Sequence, residues 1–451
     1  MTEFIRSDSR MEAVAKLLPS ERGAWWVPGA TDTLRRETML ERLEWVRDAN
    51  SAVLTSGDDA DSMTQDYEQS VDFVHQAFDE FESETVAIDT YDSAFLVPAR
   101  GEHASEVTPF LPLLDEKYGI TADQMHRTVA HLAPTKIETY QGDGSSNGVM
   151  IYTPAYFDPL NGTDRTIRTR EIIPAAKRRV DEAARLVRQR YNVGLVGLGA
   201  VIPSVTSMGR SIREPGLVTT TGHGGTVHIV SQVVERVIEA RGTEPRVGML
   251  GLGAIGGASL DVIRASPMFD SIRQIALYDE RTDLMLKNLS PDESTTVGVG
   301  SEVELLESSD IIVTAITATI DLDAKERELG REIDLTGKVI VDDSQPGCFD
   351  RQQVEARGGT LVWVVGSDES ESGFLRRTGG YAFGARTGLH GDTAVWGCEA
   401  EVGSLALLAR PELAIRGTVT PEIAREIGRV CMDAGIRAAW PLQSFGQPVE
   451  F

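Results

Sequence analysis

The chain has 451 residues, 41% of them hydrophobic, and its 44 basic and 69 acidic side chains leave a formal charge of −25. That length predicts two or three domains, and the apolar content excludes a largely disordered chain. The negative field opposes binding to nucleic acid or to an anionic membrane, and no apolar run approaches the roughly 20 residues of a membrane helix.

The N-terminal MTEFIRSDSRMEAVAKLL is charged throughout and lacks a signal-peptide core, so a cytoplasmic protein without a membrane span is expected. Three cysteines, Cys348, Cys398 and Cys431, are too few and too scattered for a disulfide framework or a zinc site. The seven histidines show no metal-ligand spacing, and no metal is expected.

TDTLRRETMLERLEWVRDAN (31–50) begins with a capping residue and predicts a surface helix. Between positions 48 and 99 there is no Lys or Arg but 13 acidic residues. Within that stretch Val71, Val74 and Phe78 recur at helical spacing, predicting an amphipathic acidic helix. KIETY and GVMIYT, separated by GDGSSNG, predict a hairpin. Residues 164–190 hold nine basic and four acidic side chains around an apolar stripe of Ile172, Ala176, Val180, Ala183 and Val187. This predicts a helix with a basic outer face. Arg178 and Arg179 on that face serve either intrachain pairing or the landing of an acidic partner.

Two glycine-rich strand ends follow. VGLVGLGAVIP (193–203) lacks a third glycine and carries a proline, so it is rejected as a dinucleotide site and read as a tight turn or as backbone lining a cleft. TTTGHGGTVHIV (219–230) continues into a helix through Val227, Val230, Val234 and Val237. The free backbone N–H groups of Gly224 and Gly225 at its start are expected to bind an anionic substrate group or a developing oxyanion. Of the two nearby histidines, His223 is the better acid/base candidate because the glycines leave it accessible, whereas His228 lies on the helix.

After position 244 apolar strands alternate with helices: RVGMLG, IRQIALYDE, IIVTAI, KVIVDDS and TLVWVVG predict a parallel, doubly wound sheet. Gly251, Gly253 and Gly256 form G-x-G-x-x-G directly between a strand and a helix, the dinucleotide fingerprint. The cofactor-binding set is expected to be Gly251, Gly253, Ala254, Ile255, Gly256, Asp279, Arg281, Thr314 and Ala315. Asp279 ends the second strand, where a carboxylate accepts hydrogen bonds from ribose hydroxyls and favours NADH; Arg281 is able to hold the 2′-phosphate of NADPH instead.

The expected fold class is α/β, a Rossmann-like doubly wound parallel sheet plus an N-terminal α+β substrate domain. The expected divisions are a mainly helical acidic region (1–123), a substrate or carrier-docking domain (124–243), the dinucleotide-binding domain (244–385), and a C-terminal helical segment (386–451) packing on the substrate domain.

The motifs GLVGLGAVIPSV, LVTTTGHGGTVHIV, VGMLGLGAIGGASLDVI, VIVDDSQP and AVWGCEAEVGSLALLA, in this order, resemble the aldehyde-forming fatty acyl–acyl-carrier-protein reductases over about residues 137–442. The resemblance implies that Cys398 attacks a thioester of acyl carrier protein or CoA and that NADPH or NADH reduces the acyl-enzyme to an aldehyde. The residues agree chemically, since thioester exchange onto a thiolate is nearly isoenergetic and a helix N-terminus lowers a thiol pKa. Three motifs depart from the family pattern. The fingerprint reads GLGAIGG rather than GATGDIG-like, Asp279 stands where NADPH users carry Arg, and His223-Gly224-Gly225 replaces Asn-Thr-His after TTG. Cys348, in the loop after Pro346-Gly347, is the alternative thiol, and Cys431 is read as core. Two other functions remain open, a non-covalent dehydrogenase of a free small molecule and a nucleotide-binding partner without turnover.

Overall fold

A computed structural model describes residues 32–51, 57–87, 90–98, 108–141, 146–155, 172–242, 244–289, 295–345, 347–371, 373–378, 384 and 389–450. Residues 1–18 and 164–171, on which the leader reading and part of the basic segment rest, lie outside them.

Two six-stranded sheets organise the chain. Helices α1 (Asp32–Ser51) and α2 (Gly57–Glu82) precede β1 (Ser93–Pro98). Then come α3 (Ala122–Val129), the antiparallel hairpin of β2 (Thr135–Gln141) and β3 (Asn147–Thr153), and α4 (Ile173–Gln189). Next are β4 (Leu195–Leu198), the short α5 (Ile202–Val205), β5 (Val218–Thr220) and the long α6 (His223–Arg241). In the first sheet β1 lies parallel between β3 and β4, and β5 extends the parallel set.

The alternation of β1 sorts its layers. Phe95 and Val97 face α1 and α2 through Met39, Leu43 and Phe78, while Ala94 and Leu96 face the stripe of α4, with Ala176, Val180, Ala183 and Val187. All six residues of β1 are buried, as a central parallel strand requires. This corrects the expected division at 123/124, which would separate β1 from its partners β3 and β4. A six-residue apolar run inside an acidic stretch carries no periodicity that distinguishes strand from helix.

The second sheet comprises β6 (Arg246–Leu250), β7 (Gln274–Tyr278), β8 (Thr296–Gly298), β9 (Ile311–Thr314), β10 (Val339–Asp342) and β11 (Thr360–Trp363). Its order is β11-β10-β9-β6-β7-β8, and every pairing is parallel. Helices α7 (Ala254–Arg264), α8 (Thr282–Asn288), α9 (Glu302–Ser308), α10 (Leu322–Leu329) and α11 (Arg351–Ala356) connect the strands. The chain winds outward from β6 to β8 and returns to β9 on the other side of β6. This is the doubly wound order of a Rossmann fold, with its switch point between β6 and β9.

Helix α6 joins the two halves. Its Val227, Val230 and Val234 share one core with Val247 and Met249 of β6, Ala258 and Leu260 of α7, and Val339 and Val341 of β10. After β11 the chain adds β12 (Gly366–Asp368), β13 (Arg377–Thr378) and β14 (Ala394–Val395). It ends with α12 (Gly397–Leu407), α13 (Pro421–Asp433) and β15 (Ile436–Ala438). β13 pairs antiparallel with β2 and so belongs to the first sheet, which corrects its assignment to the dinucleotide-binding segment. Helix α12 packs against α6, β4 and β1. Among the described residues no helix is long and apolar enough to cross a membrane.

Candidate active site at the junction of the two sheets

The dinucleotide turn is built as its spacing requires. Gly251 has φ +88°, a left-handed conformation that glycine adopts without strain, and its N–H donates to the Tyr278 carbonyl at 2.9 Å. A Cβ on Gly256 would overlap the Gly251 carbonyl oxygen, so α7 can approach the turn only with glycine there. Gly253 differs: it caps α7, and a Cβ placed on it would meet nothing within 4 Å. The start of an 11-residue helix with open space beside Gly253 fits a diphosphate.

Asp279 braces this turn by accepting from Leu252 N–H at 2.7 Å and Arg281 N–H at 2.8 Å. Its carboxylate keeps lone pairs for ribose hydroxyls, and the Arg281 side chain is largely exposed beside it. Ala254 and Ile255 open α7, and the Ala315 N–H bonds the Leu250 carbonyl at 3.0 Å, closing the switch point. Thr314 does not present its hydroxyl to the cleft. It is fully buried and donates to Asp342 at 2.7 Å, which corrects its expected contact with cofactor.

Cys398 occupies the second position of α12, one turn before Glu401. The backbone N–H groups of Ala200 and Glu399 act to lower its pKa. Ala200, held at φ +47° in the turn after β4, thus contributes main chain to the site from the glycine-rich segment rejected as a dinucleotide motif. From the other side Gly222 closes on Cys398, and a Cβ on Gly222 would overlap that of the cysteine. Of the three cysteines only Cys398 retains appreciable exposure.

The thiol is not activated at rest. Burial, reinforced by the negative charges of Glu399 and Asp343, pushes Cys398 up to about 12, and the two N–H groups offset this only in part. The expected lowering by a helix start is therefore corrected: one helix end contributes less than desolvation and two carboxyl groups take away. Glu399 is itself buried and paired with Arg377, which stacks 5.3 Å over the Trp396 ring. Cys348 is sealed in the core, its thiol donating to Asp342 and Thr314 at 3.3 Å, and Cys431 is fully buried in α13. Neither competes as a nucleophile.

Of the two N–H groups expected to bind a substrate anion, that of Gly225 is already engaged. Glu401 accepts from Gly225 N–H at 2.8 Å, Gly222 N–H at 3.2 Å and the Thr220 hydroxyl. A carboxylate from α12 thus occupies the N-terminus of α6, and Gly224 and Gly225 are contact glycines rather than a substrate cradle. A Cβ on Gly224 would crowd Ile415, and one on Gly225 would overlap the Gly397 carbonyl.

His223, the first residue of α6, is 8% exposed rather than accessible, and burial lowers it to about 4, so it is neutral at pH 7. Its Nδ1 finds no hydrogen-bond partner. His228 is likewise depressed to about 4 by burial, with Gly428 lying close against its ring. On α4, Arg179 is tied to Glu182 at 2.9 Å, and Glu182 also receives the buried Arg35; Arg178 is exposed.

The residues not anticipated from sequence are Ala200, Glu401 and Asp343. The Cys398/Glu401 spacing of one helical turn was a readable signal for the second. Ala200 and Asp343 reach the site only through tertiary packing.

No family model matches the chain, and no curated protein matches it. Among solved structures it is similar to an imine reductase from Pseudomonas sp. (18% identity over 27% of this chain and 41% of that one, TM-score 0.20). It is also similar to the NAD-dependent formate dehydrogenase of Staphylococcus aureus (16% identity, 40% and 60% covered, TM-score 0.25). A third is the 2-hydroxyacid dehydrogenase of Ketogulonicigenium vulgare (13% identity, 61% and 81% covered, TM-score 0.25). This chain spans less than two thirds of the length of the first two. At these identities the likeness concerns fold alone, and the site must be read from its own residues.

Proposed function

We propose that this chain is an NAD(P)H-dependent reductase in which Cys398 takes an acyl group from a carrier-protein or CoA thioester and releases it as an aldehyde. The observation that carries this reading is the placement of Cys398: a half-buried residue at a helix start, pressed against Gly222 at the entry to α6, which packs onto the dinucleotide-binding half.

The turn Gly251–Gly256 and Asp279 would hold the coenzyme, which when bound supplies the hydride. The balance is acyl thioester + NAD(P)H + H⁺ → aldehyde + free thiol + NAD(P)⁺. The Cys398 sulfur attacks the thioester carbonyl, the carrier thiol leaves, and the reduced thiohemiacetal collapses to return Cys398. The N–H groups of Ala200 and Glu399 favour the sulfur's anion. His223 is neutral, and its Nδ1 is buried without a hydrogen-bond partner.

Incubation with an acyl-CoA and with an acyl carrier protein, followed by intact-mass analysis, tests the reading. Acylation of the wild type but not of Cys398→Ala is expected. Full activity of Cys398→Ala would instead support the second reading, a non-covalent NAD(P)-dependent dehydrogenase of a free small molecule. Arg178→Glu should weaken use of the carrier-bound substrate and spare a small thioester; equal use of both would place docking elsewhere.

A further inference from the structure

A thiol held near 12 needs a base before it can attack a thioester at neutral pH, and the second sheet brings one to it. Strand β10 alternates cleanly. Ile340 belongs to the core with Cys348 and Phe349, and Asp342 turns the same way to receive the Cys348 and Thr314 donors. Val339 and Val341 point oppositely, into the core that holds Val230 and Val234 of α6 and Ala400 and Val402 of α12, against which Cys398 packs.

The ladder continues one residue further, because the Asp343 N–H donates to the Thr314 carbonyl at 3.1 Å. Period-two geometry therefore sends the Asp343 side chain to the Val339/Val341 face, the face that packs on α6, whose entry residue Gly222 presses on Cys398. Asp343 and Cys398 both keep some accessible surface although the surrounding protein is dense, as expected of two walls of one cleft.

Resting on the reading of Cys398 as acyl acceptor, we propose that Asp343 is its proton acceptor, reaching across from the dinucleotide-binding half. The carboxylate takes the S–H proton, directly or across one water, as the sulfur–acyl bond forms. The carrier carbon–sulfur bond then breaks, and the departing thiolate takes that proton from the Asp343 carboxyl group, so no further reactant is consumed. Burial, with Asp342 beside it, raises Asp343 well above the ordinary carboxylate range, narrowing the gap to the thiol. The other titratable groups around the pair are Glu399 and Glu401 on α12, His223 on α6 and Asp342 on β10, of which Glu401 is held by Gly222, Gly225 and Thr220. Glu399 is neutralised by Arg377, His223 lacks a charge, and Asp342 faces the opposite side, leaving Asp343 as the carboxylate free to act.

The test sets two rates against each other in full-length protein. In Asp343→Asn a negative charge is lost, so the Cys398 thiolate is easier to form, and alkylation by iodoacetamide should become faster with a pH midpoint shifted downward. Acylation by acyl-CoA in a single turnover should nevertheless slow by about 100-fold, the scale of a lost general base. Asp343→Glu should recover most of that loss. If acylation speeds up together with alkylation, or is unchanged, Asp343 is not the proton acceptor. If the wild type alkylates at Cys398 but is never acylated, the acyl-transfer reading itself fails, whatever the variants do. A melting temperature equal to that of the wild type, with alkylation confined to Cys398, shows that Asp343→Asn has kept its cleft.

Discussion

Two turns in this molecule look alike as strings and behave differently in space. Both follow a parallel strand, are rich in glycine and open a long helix: Gly251–Gly256 before α7 and Gly222–Gly225 before α6. At the first, the space beside Gly253 is open. At the second, backbone amides are satisfied by the carboxylate of Glu401, and the glycines exist so that α12 can lie against them. A glycine-rich helix start thus announces close approach by something negative, but whether that is a ligand or the chain's own carboxylate depends on what lies opposite.

Substitutions that add one methyl group separate the two turns most sharply. Gly225→Ala should cost about 3 kcal/mol or more, because its Cβ meets the Gly397 carbonyl and backbone yields poorly. Gly253→Ala should leave stability within about 0.5 kcal/mol yet weaken coenzyme binding about 10-fold or more. Chemical denaturation and coenzyme titration measure both; a destabilised Gly253→Ala would erase the contrast.

Glu401→Ala should cost about 2 kcal/mol, since it strands buried N–H donors, and Glu401→Gln should cost less because its amide oxygen still accepts. Inorganic phosphate should then raise the melting temperature of Glu401→Ala and not of the wild type, by filling the vacated helix start. If phosphate protects both equally, the carboxylate is not the resident anion.

His223 sharpens the comparison through pH. Its folded value of about 4 lies below the ordinary 6.5, so its neutral form is a stabilising feature present above pH 6.5 and lost as pH falls through 4. At pH 5 the loss is roughly 2 kcal/mol. His228 has the same shift and adds its own loss. Urea melts at pH 7 and pH 5 should show a shallower fall for His223→Gln than for the wild type; an unchanged fall would mean that the imidazole is solvated.

The dinucleotide-binding half was legible in the sequence because its signals are local. Strand runs such as KVIVDDS are continuous and apolar, and the glycine spacing encodes a turn whose partners are a few residues away. Among the strands of that sheet β8, three residues long, escaped notice, as did the short helices α8, α10 and α11. The first half was less legible. SAFLVP looked like part of an acidic helical region, yet it is the central strand of a sheet whose other members come from as far away as β13.

Secondary structure, the coenzyme turn and Cys398 at a helix start follow from short-range pattern: periodicity, capping and steric allowance act within a few residues. The state of that cysteine does not. Its raised pKa, the filling of the α6 terminus by Glu401, the burial of His223 and Thr314, and the arrival of Asp343 from another sheet all come from groups separated by tens to hundreds of residues. Desolvation and charge act through space, so they exist only once α6 and α12 have packed between the two halves.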